Sequence, residues 1–224
     1  MKLKYFLQLI ILFLSMVIFN NTANAAAITE TQAIEWANQK GREIIALLTS
    51  PESEEKYHQL DNILFNDVDL DHAARYVVGK YWKNMSEAQR QKYVPLFKRY
   101  IAAVYKSYPL ELQQGDVDFS VEKAIQNTKN TEIHCKIFIK VLENSVDENS
   151  KGGINAVFVL SIENNQIKVQ DLKIAESSLL QAYRERFYKL IHEDSDDEID
   201  WFLDELEEIV QDNENKNAEK SFES

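Results

Sequence analysis

Asp67, Asp69 and Asp71 place three carboxylates at alternate positions, the spacing with which a loop gathers ligands around a hard cation such as calcium. Such a loop then needs glycine at its sixth position and a bidentate glutamate at its twelfth, where His72 and Val78 stand instead. Helix capping is the better use, because a side-chain oxygen just ahead of a helix satisfies its free N–H groups. The four histidines, His58, His72, His134 and His192, show no metal-ligand spacing. Cys135, the only cysteine, alternates with strand-core residues and reads as a buried thiol, with no partner for an intramolecular disulfide. Asp171 is the one acid embedded in a strand pattern, an isolated base that would suit a small cone-shaped isomerase or hydrolase. There is no glycine-rich phosphate loop, nucleophile elbow or HExxH pattern. These residues favour a protein that is not an enzyme and holds no metal, with catalysis by Asp171 as the rival reading.

A different chemistry shows between Ala73 and Tyr108, AARYVVGKYWKNMSEAQRQKYVPLFKRYIAAVYKSY. Counted from Ala74, Val77, Val78 and Tyr81 share one helical face, and Trp82 widens the stripe. A second stripe, Tyr93, Phe97, Tyr100, Ile101, Val104, Tyr105 and Tyr108, follows a capping box of Ser86 and Gln89. Pro95 inside it predicts a kink, since proline removes a donor and crowds the preceding turn. Tyrosine and tryptophan join an apolar body to a polar tip, which suits a cavity with one dry and one wet end. Periodicity alone favours an ordinary filled core.

The elements around this segment follow from the same reading. Thr29 to Leu48 is helical, with Thr29 and Gln32 as a capping box and Ile34, Ala37, Ile44, Ile45 and Leu48 inward; a second helix covers Glu54 to Phe65. Strands are expected at Val117–Val121, Thr131–Leu142, Ile154–Ile162 and Ile167–Ile174, the last two joined by a tight Asn164-Asn165 turn. Ile167 and Val169 keep one parity while Leu172 and Ile174 take the other, so a bulge is expected near Asp171. Helices return at Leu180–Ile191 and Ile199–Val210, the acidic run Glu193–Glu198 favours the start of the last helix, and residues 211–224 read as a disordered acidic tail. The order is α+β, with about four antiparallel strands between N-terminal and C-terminal helices.

Lys2 and Lys4, the apolar run Tyr5–Phe19 and Ala23-Asn24-Ala25 form a secretory signal pattern, residues 1–25, leaving a domain over 26–210. Removing the two lysines with the leader takes the formal charge from −12 to −14, which argues against nucleic acid and against attraction to anionic membrane surfaces, so contact with a lipid surface would have to be steric or partner-guided.

The segments VVGKYW (Val77–Trp82), SEAQRQKYVPLFKRYI (Ser86–Ile101) with Tyr105, and VQDLKIAESSLLQAYRERF (Val169–Phe187) resemble the signatures of the MlaC family, periplasmic phospholipid-binding proteins also named for toluene tolerance. The resemblance covers roughly Asn62 to Leu206. It implies an NTF2-like α+β fold around an apolar pocket, no enzymatic activity and no cofactor, with phospholipid as cargo. It also implies a periplasmic monomer that shuttles lipid between an outer-membrane lipoprotein and porin complex and an inner-membrane ABC transporter with an MCE-type subunit. Its turn is one residue shorter than the family pattern, Glu176 leading directly to Ser177 and Ser178. Placed on this chain, the expected lipid contacts are Val78, Tyr81, Trp82, Phe97, Ile101 and Tyr105 from the helices; strand parity adds Phe158, Leu160 and Ile174. Trp82, Tyr81 and Tyr105 are expected at the mouth.

Overall fold

Two separate dry clusters, one among helices and one under the sheet, define the architecture of this computed structural model, which describes residues 28–107, 112–139 and 153–222. The leader, Tyr108 and Pro109 lie outside them.

Helix α1 (Glu30–Leu48) starts on the expected box, Thr29 accepting from Gln32 N–H while Gln32 returns to the Thr29 backbone. Ser53 caps α2 (Glu54–Asp67), and Lys56 Nζ clasps the preceding turn through Leu48 O, Ser50 O and Glu52 Oε1. Asp69 Oδ1 accepts from His72 N–H at 2.9 Å and so caps α3 (Leu70–Val78). Its two neighbours are used elsewhere, Asp67 on Lys40 and Asp71 on Lys98, so the three acids do not converge. Among the described residues no cluster of His, Cys, Asp or Glu could hold a metal. After α4 (Tyr81–Asn84), the Ser86–Gln89 box opens α5 (Glu87–Ser107), which runs continuously through Pro95.

The sheet is antiparallel with strands in sequence order: β1 (Val117–Gln126), β2 (Thr131–Ile139), β3 (Ile154–Glu163), β4 (Gln166–Ile174) and β5 (Ser177–Ser178). It has five strands where about four were expected, because the short Glu176 turn closes a further hairpin. Ala175 and Glu176 adopt φ of 46° and 69°, as do Asn164 and Asn165 at 49° and 65°, the left-handed geometry of tight two-residue hairpins. The anticipated bulge is present: Val159 pairs with Asp171 and Leu160 with Val169, leaving Gln170 as the extra residue.

Helix α6 (Leu179–Lys189), a π-helical turn (Leu190–Asp194) and α7 (Ile199–Phe222) complete the chain. The expected disordered tail is corrected here, since α7 continues past Gln211 to Phe222. Arg99 explains part of this: its guanidinium reaches Glu207 at 2.9 Å and Glu214 at 2.8 Å, and Asn217 donates to Ala103 O. The last turns of α7 are therefore tied to α5 by polar contacts that a polar composition does not reveal.

The helical cluster is an aromatic stack. Tyr93, Phe97, Tyr100, Phe187 and Phe202 are each almost wholly buried, with ring centroids 5.3–6.4 Å apart and mostly tilted or edge-on, the favoured arrangement for aromatic pairs. At its margin the two segments that carried the family resemblance meet. Arg184 donates to Tyr76 O and to Tyr188 Oη, and that hydroxyl accepts from Lys80 N–H at 3.1 Å. Gly79 has φ +49°, and a Cβ there would lie 2.5 Å from Tyr188 Oη, so only glycine lets α3 end against α6.

The second cluster packs α1 on the sheet through Ile28, Ala33, Ala37, Ile133, Cys135 and Leu160.

Candidate functional site

Between the two clusters lies a cavity of about 580 Å³. Helix α1 supplies Trp36, Ile44, Ile45 and Leu48, and α2 supplies Leu60, Ile63 and Leu64. Opposite them stand Phe97, Ile101, Val104 and Tyr105 of α5, while Val117, Phe119, Ile137, Phe158 and Leu172 form the sheet side. Leu179, Leu180 and Tyr183 close it from α6. The lining is overwhelmingly aliphatic and aromatic. Apolar volume left unfilled costs stability in proportion to its size. A chain that keeps such a gap gains from filling it with something apolar.

The gap persists because the walls are propped apart. α2 buries no apolar side chain among its described residues, only Lys56; its apolar face looks onto the cavity, and polar clasps hold the helix in place. Asp61 accepts from Tyr105 Oη at 2.6 Å and pairs with Lys106 at 2.6 Å, joining α2 to α5. Burial, then the bond to Asp61, push the Tyr105 hydroxyl well above its ordinary pKa. Lys40 pairs with Asp67 at 2.8 Å and Glu43 at 3.0 Å, joining α1 to α2. Burial opposes its charge, but the bonds to Asp67 and Glu43 outweigh that and raise the ammonium pKa. On the sheet side, Gly41 lets the Phe119 ring rest against α1; a Cβ there would come within 2.2 Å of the ring.

Of the residues expected to contact lipid, the structure places Phe97, Ile101, Tyr105 and Phe158 on the cavity wall. The other five are corrected. Val78 is fully buried in the helical cluster, and Tyr81 is tied by its hydroxyl to Asp197 and by its ring to Tyr188, 5.4 Å away. Trp82 packs on Tyr93 and under the Arg90 guanidinium, so neither it nor Tyr81 forms a mouth. Leu160 is sealed in the α1–sheet cluster beside Ile28 and Ala33. Ile174 sits 37% exposed at the end of β4, beyond the cavity.

The principal wall missed in that set is α1 and α2. A signal existed, because α1 carries Ile44, Ile45 and Leu48 as inward positions although only Ala33 and Ala37 are buried in it.

Asp171 reaches the cavity wall, but its Oδ1 accepts from Leu172 N–H at 2.9 Å and Leu180 N–H at 3.1 Å. It fastens the bulged strand to the start of α6. Cys135 also touches the cavity and is 3% exposed; burial, with Glu122 adding, pushes its thiol up to about 11, so it stays protonated and unreactive at neutral pH.

Residues 38–208 match the family described as MlaC protein. The chain belongs to the MlaC family. No curated protein matches it significantly. Among solved structures it resembles a phospholipid-binding protein from Ralstonia solanacearum, determined in complex with a phospholipid. The two share 16% identity, with a TM-score of 0.61 over 83% of this chain and 99% of that one. That likeness is one of fold. In MlaC terms, the signature segments of this chain build the filled helical core, its seam with α6 and part of the cavity wall, while about a third of that wall lies outside them, on α1 and α2.

Proposed function

We propose that this MlaC-family chain binds phospholipid by its acyl chains in the cavity between the helical cluster and the sheet, and carries it through the periplasm. The observation that supports this most is the apolar-lined cavity of about 580 Å³. A diacyl lipid has on the order of 30 methylenes, and at roughly 0.8 kcal/mol each its tails cost ~24 kcal/mol to leave in water. A carrier must match that with apolar surface. At roughly 30 Å³ per methylene-sized group, the cavity holds about 19 methylenes, all of one acyl chain and the start of the second.

The contacts in this reading are Ile44, Leu60, Ile63, Phe97, Ile101 and Phe158, with Tyr105 held to α2 rather than at a wet mouth. Exchange occurs with an outer-membrane lipoprotein and porin complex and an inner-membrane ABC transporter, the leader directs secretion, and the carrier works as a monomer with no cofactor. In this reading the transfer is not catalysis, and Asp171 serves to fasten the bulged strand to α6 through the two backbone donors on its Oδ1. No helix among the described residues is long and apolar enough to cross a membrane.

Mass spectrometry of an organic extract of the purified mature protein tests this, with phospholipid expected at near-stoichiometric amount. Absence of lipid, together with no uptake from labelled vesicles, would overturn it.

A further inference from the structure

Trp201 on α7 is 64% exposed, more than any other large apolar side chain among the described residues. Trp36 borders the cavity and Trp82 packs on Tyr93, so of the three tryptophans only this one turns most of its surface to solvent. No residue of α7 lines the cavity.

The surroundings of the indole carry one sign of charge. Glu198, Trp201, Glu205 and Glu208 follow one another at intervals of three and four residues, a single stripe of the helix, and all four are exposed. The acids that hold α7 to α5 are different ones: Asp200 accepts from Gln89 at 2.9 Å, Asp204 pairs with Lys92 at 2.8 Å and Glu207 with Arg99 at 2.9 Å. Glu198, Glu205 and Glu208 enter no ion pair among the described residues. Just before the helix, Asp197 accepts from the Tyr81 hydroxyl and pins the turn. The stripe is therefore held rigid and faces away from α5, and docking on it costs little ordering.

A large exposed apolar group marks an interaction surface more often than it serves solubility. Three uncompensated carboxylates repel an anionic bilayer, and they repel the same face of a second copy. The formal charge of −12 adds to both repulsions. A basic protein surface is what the stripe complements, since arginine and lysine pair with carboxylates and also lie favourably over an indole face. Tryptophan is enriched among the few residues that dominate interface energies.

We propose that this stripe is a docking face for the lysine- and arginine-rich surface of another protein, with Trp201 as its anchor. A partner held there leaves the cavity unobstructed. The assignment goes beyond the carrier reading and stands whatever the cavity holds.

The test places a photo-reactive benzophenone side chain at position 201 of the full chain in its own cells, with the same group at position 123, exposed on β1, as control. Light should cross-link position 201, and not 123, to one protein, within a peptide rich in lysine and arginine. Glu205→Lys combined with Glu208→Lys should cut the yield about tenfold. The purified domain that carries this peptide is then titrated calorimetrically with the mature protein. Trp201→Ala should weaken binding roughly thirtyfold, and raising sodium chloride from about 50 to about 200 mM should weaken it further. The charge variants lie on the exposed face and stay informative if Trp201→Ala folds poorly. Lipid loading, read by mass spectrometry, should be the same in wild type and folded variants.

Cross-links to lipid, to a second copy or to an acidic surface overturn the docking face. So do equal yields at the two positions, no product at 201, affinity indifferent to salt and charge reversal, or folded variants that lose lipid. All but the last leave the carrier reading untouched. A wild type that never loads lipid removes the carrier reading and leaves the docking face standing.

Discussion

Ile101→Asp offers the sharpest test of where the acyl chain lies. Ile101 is half-buried on α5, lines the cavity and packs against the margin of the helical cluster, so the substitution spares the fully buried rings of Tyr93, Phe97 and Tyr100 themselves. In the lipid-free protein the new carboxylate is hydrated by water in the cavity, and the fold tolerates it. In the loaded protein it lies against methylenes. Losing the isoleucine contact forfeits about 1.5–3 kcal/mol, and stripping water from an unpaired polar group adds ~2–7 kcal/mol. Even the lower ends sum to ~3.5 kcal/mol, a loss in affinity of several hundredfold. Lys98→Asp, one turn earlier, is the control: Lys98 is partly exposed, pairs with Asp71 at 3.1 Å, worth at most ~1 kcal/mol of stability, and does not line the cavity. The assay is uptake of a fluorescent phospholipid from vesicles, with circular dichroism confirming that both variants are folded. Equal uptake by Ile101→Asp and wild type, or equal losses in the two variants, would show that the chain does not run along α5.

Asp61→Ala removes the clasp between α2 and α5, and should cost about 1–2 kcal/mol, speed amide exchange in α2 and shorten lipid residence, with Asp61→Glu restoring part of it; unchanged exchange would refute the clasp. Alkaline pH should unfold the protein early. Burial, then hydrogen bonding to Asp197, push the Tyr81 hydroxyl up to about 12, and the Cys135 thiol stands at about 11. Both groups ionise sooner in the unfolded chain, so their stability is complete below about pH 9 and is lost as pH rises to ~12, by on the order of 2–3 kcal/mol each at most. Denaturant midpoints measured across that range check the sign, and a midpoint that holds or rises contradicts it. Gly79→Ala should lower stability by about 2–4 kcal/mol while leaving lipid capacity intact, because the new methyl meets Tyr188 and Arg184 far from the cavity wall; a thermal melt together with lipid loading measures both.

Local features of this chain were readable from local chemistry. The Thr29 and Ser86 capping boxes, the Asn164-Asn165 hairpin and the bulge beside Asp171 each depend on residues a few positions apart, and each stands where side-chain type and parity placed it. Ile133 and Cys135, read as one face of a strand, are both buried. The family, too, could be recognised from short segments. The cavity could not, because periodicity reports that a helical face is apolar and never says what covers it. Val78 and Ile101 satisfy the same spacing rule; one is covered by neighbouring helices and the other looks onto empty space. The end of α7 was missed for a related reason, since Arg99 and Glu214 are 115 positions apart.

By itself, then, the sequence determined the element types, the turn geometry, the α+β order, the absence of a recognisable catalytic motif and the family. Only the tertiary structure decided that most of the aromatic segment from Ala73 onward is filled core, and that α1 and α2 supply about a third of the cavity wall. The physical reason is that a cavity is a failure of two apolar surfaces to meet. It depends on the clasps, Asp61 with Tyr105 and Lys106, and Lys40 with Asp67, that hold those surfaces apart across long sequence separations.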